Sequence, residues 1–181
     1  SGTAAMSTRK IYEDPSRLVP RIDEAKGRGL TVVFANGCFE LLHVGHIRYL
    51  RAARELGDIL VVAVNTDESM RLIKPDRRPA NSDRERMEIL AALECVDYVV
   101  PLSDRTPAGL LGRLRPQIHT KGTDYTLDRI PERVVVESYG GRVELVGGPK
   151  ERSTTDMLRA IRTTDVEVPV APLSSLEPAL S

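Results

Sequence analysis

Short apolar runs rich in β-branched residues alternate along this chain with longer stretches in which apolar residues return every three or four positions. Residues 31–35 and 59–65 have the length and composition of buried strands, and 97–102, 117–120 and 142–146 read as three more strands. A helix is predicted from Asp14-Pro15, with Leu18, Ile22 and Ala25 on one face before Gly27. A second runs from His43 to Leu56. Ser82-Asp83-Arg84-Glu85 is a capping box that opens a third, reaching about Glu94. Residues 106–114 and 130–139 give two more, the latter closed by Gly140-Gly141. Residues 153–162 give the last. Asn36-Gly37, Thr66-Asp67, 74–79 and 121–125 read as turns and loops.

Strands that alternate with helices predict an α/β fold: a doubly wound, parallel, five-stranded sheet with helices on both faces. Ligands of such sheets bind beyond the carboxyl ends of the strands. The loops after strands one, two, four and five carry the chemically interesting residues, so one shared site is expected there. Residues 1–6 read as a cloning remnant and start, 7–162 as a single domain standing alone. Residues 163–181, rich in Pro, Ser and Thr, read as a flexible tail, with docking on the partner subunit of a homodimer as the alternative.

Composition narrows the classes. Lys and Arg total 26, as do Asp and Glu, which gives no electrostatic case for nucleic acid or an anionic membrane. Without Trp and with few aromatics, a base-stacking binder is excluded. Cys38 and Cys95 make no disulfide framework and suit a reducing compartment. With no signal-peptide pattern and no apolar run of membrane length, a cytoplasmic location is expected.

His43 and His46 stand one turn apart on one helix face, where the free N–H groups already favour an anion. Both can reach one ligand, which points to a phosphate under attack. A plain helix cap and half a metal site are the alternatives. Cys38 has no common zinc spacing and His119 is isolated, so no metal ligands are assigned. Arg152, Ser153, Thr154 and Thr155, with Lys150, head the last helix and either hold phosphate oxygens or merely cap it. Arg86 lines up with Leu90 and Leu93, so its charge needs a partner: an anionic ligand or a neighbouring carboxylate. Lys74 and Arg78 lie in a basic loop that closes over a phosphate or is simply solvated.

Residues 37–46, Gly37-Cys38-Phe39-Glu40-Leu41-Leu42-His43-Val44-Gly45-His46, resemble the G-x-F-D-x-x-H-x-G-H signature of the cytidylyltransferase-like nucleotidyltransferases. Glu40 stands where that family usually has Asp. Arg152 to Thr155 resemble its Ser-Thr-rich motif, and Asn65-Thr66-Asp67 its N-x-D after the second strand. Lys121-Gly122-Thr123-Asp124-Tyr125 is similar to the K-G-x-D-Y segment of the heptose 1-phosphate adenylyltransferases, with Thr123 where Gly is common. The likeness covers residues 30–161.

The resemblance implies a Rossmann-like fold and an enzyme that joins ATP to D-glycero-D-manno-heptose 1-phosphate, giving ADP-heptose and pyrophosphate. It implies nucleotide contacts from Asn36, Gly37, Cys38, Phe39, His43, Gly45 and His46, with Arg152 to Thr155 on the leaving phosphates. Asn65, Asp67, Lys74, Arg78, Arg86, Lys121, Gly122 and Asp124 would face the sugar phosphate. His43, His46 and Lys121 would be catalytic, and Mg²⁺ would arrive with the nucleotide. The alternatives are a cytidylyltransferase acting on glycerol phosphate or a similar alcohol phosphate, and a non-catalytic nucleotide-binding regulator on the same fold.

Overall fold

The computed structural model describes residues 9–76, 79–148 and 154–163. Its strands are β1 Val32–Gly37, β2 Ile59–Asn65, β3 Tyr98–Leu102, β4 Ile118–Gly122 and β5 Arg142–Val146. All pair in parallel, in the order β3-β2-β1-β4-β5. The helices are α1 Val19–Gly27, α2 Val44–Glu55, α3 Asp67–Ile73, α4 Asp83–Ala91, α5 Ala108–Leu114, α6 Arg133–Ser138 and α7 Thr154–Thr163. Short 3-10 turns precede α1 and α6, at Pro15–Arg17 and Leu127–Arg129.

Side-chain alternation along each strand creates two cores. Val33 and Ala35 of β1 face one layer, closed by Leu50 and Ala53 of α2 and by Met87, Leu90 and Ala91 of α4. Val32 and Phe34 face the other, closed by Leu18 and Ile22 at α1, by Leu110, Leu111 and Leu114 of α5, and by Val136 of α6. The doubly wound sheet expected from the sequence is therefore the observed one. Among the described residues no helix is long and apolar enough to cross a membrane.

Among the boundaries that differ from expectation, four have a clear local reason. β1 does not break at Asn36-Gly37; both pair with β2, opposite Ala63 and Val64. Lys121 and Gly122 end β4 instead of opening a loop, opposite Leu145 and Val146. Helix α4 stops at Ala91, short of Glu94, where the ladder tightens: past Ala92 the Leu93 N–H bonds the Leu90 carbonyl at 3.1 Å, three residues back instead of four. Helix α6 starts at Arg133, because Pro131 keeps Ile130 extended at φ −107 and ψ 95. Helix α3 was not expected at all. Its pattern is inverted: Ser69 is fully buried while Leu72 is 54% exposed. Ser69 is satisfied there, since its hydroxyl reaches the Leu102 carbonyl at 2.8 Å. The tail expected at 163–181 lies outside the described residues apart from Thr163, the last residue of α7.

After β3 the chain returns to lay β4 on the far side of β1, so the winding reverses between these two strands. A crevice is expected at such a point. The β1–β4 ladder holds two residue pairs, Val33 with Ile118 and Phe34 with His119, against six between β1 and β2. Just past it, the Thr120 hydroxyl donates to the Phe34 carbonyl at 3.1 Å. The carboxyl ends of β1 and β4 part beyond that bond.

Candidate active site

β1 delivers the chain to this crevice. Phe39 takes φ 48, a left-handed conformation unusual for a bulky residue. Its ring folds back over Gly37, where an added Cβ would meet it at 3.1 Å. The close approach thus favours Gly37, and Phe39 in turn lies edge-on to His46 at 5.4 Å between centroids. Asn36 places its Oδ1 in a buried position without a hydrogen-bond partner among the described residues. Such an acceptor is normally satisfied, and a ligand's donor would satisfy it here.

His43 is the N-cap of α2, and its Nδ1 accepts the Gly45 N–H at 3.1 Å. His46 Nδ1 accepts the His43 N–H at 3.3 Å. A ring nitrogen that accepts is unprotonated, so each neutral imidazole carries its proton on Nε2. The rings stack at 4.0 Å with 29° between planes. The cap and the ligand-facing readings of this pair are therefore compatible: Nδ1 builds the helix start, and Nε2 carries the proton. Gly45 sits between them, its N–H engaged by the cap.

A buried cation ties this loop to β2. Arg86 of α4 is 1% exposed and donates to the carbonyls of Cys38 at 2.6 Å, Asn65 at 2.7 Å and Asn81 at 3.2 Å. Its remaining nitrogen reaches Asp67 Oδ1 at 2.8 Å. Of the two partners left open for Arg86, the carboxylate is the one found, so its guanidinium fixes the walls of the site. Asn65 spends its amide on Ser69 at 3.2 Å and receives the Cys38 thiol at 3.8 Å. Lys74 ends α3 and pairs with the buried Glu40 at 3.5 Å. The longer Glu40 thus bridges the His-bearing loop to α3.

The opposite wall is the end of β4. Tyr49 of α2 donates to the Thr120 carbonyl at 2.9 Å, fixing the His-bearing helix to β4. An added Cβ on Gly122 would meet Asp124 Oδ1 at 2.6 Å, so the Asp124 carboxylate lies against the Gly122 backbone. The Thr123 hydroxyl donates to the Gly148 carbonyl at 3.1 Å and holds that turn to the end of β5. Lys121 points its ammonium to Glu132 Oε1 at 3.5 Å and toward the Tyr125 ring, 5.2 Å from its centroid. His119, isolated in the sequence, is fully buried and meets the same Glu132 oxygen through Nε2 at 3.0 Å.

Burial alone would raise the Glu132 pKa, but the His119 hydrogen bond, a backbone N–H and the Lys121 charge outweigh it and bring it to about 2. Burial lowers that of His119 and keeps its ring neutral, against the pull of Glu132. Both groups bind protons more readily unfolded, so both lose stability as pH falls. Glu132 contributes fully above its ordinary value of 4.5 and loses that contribution as pH falls toward about 2. Glu132→Gln is therefore expected to be less stable than wild type at pH 7 by on the order of 2–3 kcal/mol. That gap should close below pH 4.5 in melting curves; parallel curves from pH 7 to 3 would count against the buried carboxylate.

The structure thus brings Asn36, Gly37, Cys38, Phe39, His43, Gly45 and His46 to one wall of the crevice, and Lys121, Gly122 and Asp124 to the other. Asn65 and Asp67 lie behind the first wall, bound to Ser69 and Arg86. Arg78, Lys150, Arg152 and Ser153 lie outside the described residues, as does the side chain of Thr154; Thr155 is exposed on the first turn of α7. Among the described residues no group of three or more His, Cys, Asp or Glu converges as a metal site. Tyr49, Thr120 and Glu132 were missed. None carries a short motif, and each acts through a partner distant in sequence.

Comparison with known proteins decides the class. The model of the family described as cytidylyltransferase-like matches residues 34–174. The chain belongs to this family. It is accordingly a nucleotidyltransferase, built on the α/β fold described above. Among curated relatives, the bifunctional protein HldE of Geobacter sulfurreducens is 54% identical over 136 residues, 75% of this chain and 28% of that protein. HldE of Pseudomonas fluorescens is 42% identical over 177 residues, 91% of this chain and 37% of that protein. The chain thus spans well under half the length of these relatives. Among solved structures, a lipopolysaccharide core biosynthesis protein of Thermoplasma volcanium superposes with a TM-score of 0.57 at 27% identity, over 67% of this chain and all of that one. A pantoate-beta-alanine ligase of Francisella tularensis shares the fold, with a TM-score of 0.55 at 14% identity over 84% of this chain and 76% of that one.

Proposed function

We propose that this nucleotidyltransferase joins ATP to D-glycero-D-manno-heptose 1-phosphate, releasing pyrophosphate and forming ADP-heptose. The observation that carries the reading is the stacked His43–His46 pair at the head of α2, both Nδ1 atoms held by backbone N–H groups, beyond the carboxyl end of β1 and next to the end of β4 that carries Lys121. A sugar phosphate oxygen attacks the α-phosphorus in line, and the bond to the bridging oxygen of the leaving pyrophosphate breaks. No covalent enzyme intermediate is needed, so catalysis is positioning plus stabilisation of growing negative charge.

His43 and His46 donate to the α-phosphate as that charge grows. Lys121 meets the phosphate of the sugar, and Asp124 accepts its hydroxyls. Arg152, Ser153, Thr154 and Thr155 take the leaving phosphates. Asn36 Oδ1, buried and without a hydrogen-bond partner among the described residues, accepts from the nucleotide. An Mg²⁺ ion carried on the triphosphate needs few carboxylates of its own, and it would supply further charge neutralisation on the phosphates. The likeness to a lipopolysaccharide core biosynthesis protein supports a sugar-nucleotide product, and a cytoplasmic location fits a reaction that uses ATP.

Pyrophosphate release, measured for ATP and CTP against heptose 1-phosphate and glycerol 3-phosphate with Mg²⁺, tests the proposal. Heptose 1-phosphate with ATP should exceed every other pair. Faster turnover of CTP with glycerol phosphate would leave only the nucleotidyltransferase class standing. Nucleotide binding with no release for any pair would favour the regulator.

A further inference from the structure

We propose that Glu132 is a positioning residue for Lys121: its carboxylate, anchored by the buried His119, holds the ammonium at the mouth of the β1–β4 crevice. The inference rests on the reading above in which Lys121 meets the phosphate of the second substrate. His119 and Lys121 stand two residues apart on β4, so their side chains leave the same face of the sheet. Glu132, at the N-cap position of α6, packs onto that face. One oxygen, Oε1, serves both neighbours, with His119 Nε2 at 3.0 Å and Lys121 Nζ at 3.5 Å.

The chemistry of the chain of three is directional. Among the described residues Nδ1 of His119 makes no hydrogen bond within normal geometry, although the ring lies beside the Phe34 backbone, and His119 is fully buried. Its hydrogen bond to Glu132 runs from Nε2–H, because the other tautomer would set lone pair against carboxylate. His119 thus acts as a fixed donor that orients the carboxylate. Glu132 has a side chain 5% exposed and cannot reorient into solvent. Lys121 is held on its other side by the Tyr125 ring.

The looseness of the last contact matters. A charge-assisted N–H···O bond is usually about 2.7–2.9 Å, whereas Lys121 sits at 3.5 Å from a carboxylate oxygen already shared with His119. An ammonium has three donors, so the tether aims the group while leaving donors for an incoming phosphate. Without the tether, a flexible four-carbon stem would have to be ordered on each binding event. The carboxylate also balances the ammonium between turnovers, so the crevice is not left with an unpaired buried cation.

The test uses Glu132→Gln, which keeps an acceptor for His119 and removes the charge, with Lys121→Met and the double variant. Glu132→Gln should raise the KM for the sugar phosphate about tenfold, the equivalent of one ion-pair contact, with the KM for ATP unchanged. Glu132→Asp should recover part of the loss. The double variant should be no worse than Lys121→Met, because the two residues act as one unit. A wild-type KM in Glu132→Gln, or losses that multiply in the double variant, would overturn the positioning role. A normal Lys121→Met would overturn both this inference and the reading of Lys121 it rests on. Labelling needs no substrate: with limiting acetic anhydride followed by mass spectrometry, Lys121 should react several-fold faster in Glu132→Gln. An unchanged labelling rate would overturn the tether whatever the substrate proves to be.

Discussion

Replacing Arg86 with methionine is expected to remove about 3–5 kcal/mol of stability, the usual consequence of breaking a buried charged pair from one side. Methionine fills most of the volume, so the loss is not a cavity effect. It arises because Arg86 satisfies the carbonyls of Cys38, Asn65 and Asn81 and the carboxylate of Asp67 together. The Arg86 side chain is fully buried, whereas that of Asp67 is 30% exposed, so water can recover part of the Asp67 charge but little of the buried carbonyls. A domain with a total of about 5–15 kcal/mol would be brought close to its limit. Arg86→Lys should restore only part, since an ammonium cannot span carbonyls and carboxylate with the planar fork of a guanidinium. Urea unfolding of the three proteins measures this directly. A loss below about 1 kcal/mol in Arg86→Met, the range of an ordinary surface change, would show that the clamp is incidental.

Arg86 also marks where sequence reasoning reached its limit. Its alignment with Leu90 and Leu93 showed that it was buried and that it needed a partner, but not which one. Asp67 lies 19 residues away on a helix whose pattern is inverted by the buried Ser69. β2 was legible because it is a nearly continuous apolar run, and β5 because Gly140-Gly141 before it and Gly147-Gly148 after it mark its ends; both strands span the residues expected. The ends of β1 and β4 were not, because Asn36-Gly37 and Lys121-Gly122 carry turn chemistry that the neighbouring strands override by pairing. His43 and His46 were legible as a pair because helical spacing is local. His119 was not, since its partner Glu132 is set by tertiary packing of α6 on β4.

The largest kinetic effect is expected at His43 and His46. Alanine at either position should lower kcat by on the order of 10²–10³, the range for loss of one preorganised donor to developing charge. The KM for ATP should move far less, because the contact strengthens only as the α-phosphate gains charge. Alanine alone leaves an ambiguity that the geometry exposes. Each Nδ1 also accepts a backbone N–H at the start of α2, so truncation removes a cap worth about 1 kcal/mol as well as a donor. His43→Asn separates the two roles, since its side-chain oxygen can replace Nδ1 in the cap but no donor reaches the place of Nε2. It should melt near wild type and still lose most of its rate. His46→Gln does the converse: its amide N–H can stand near the place of Nε2 while the acceptor for the His43 N–H is lost. It should keep more activity than His46→Ala and gain nothing in stability. Pyrophosphate release and thermal melts on the four variants read the two roles apart. Near-wild-type turnover in His43→Asn and His46→Ala together would mean that the imidazoles serve the helix alone, and that the in-line transfer at this crevice is stabilised by other groups.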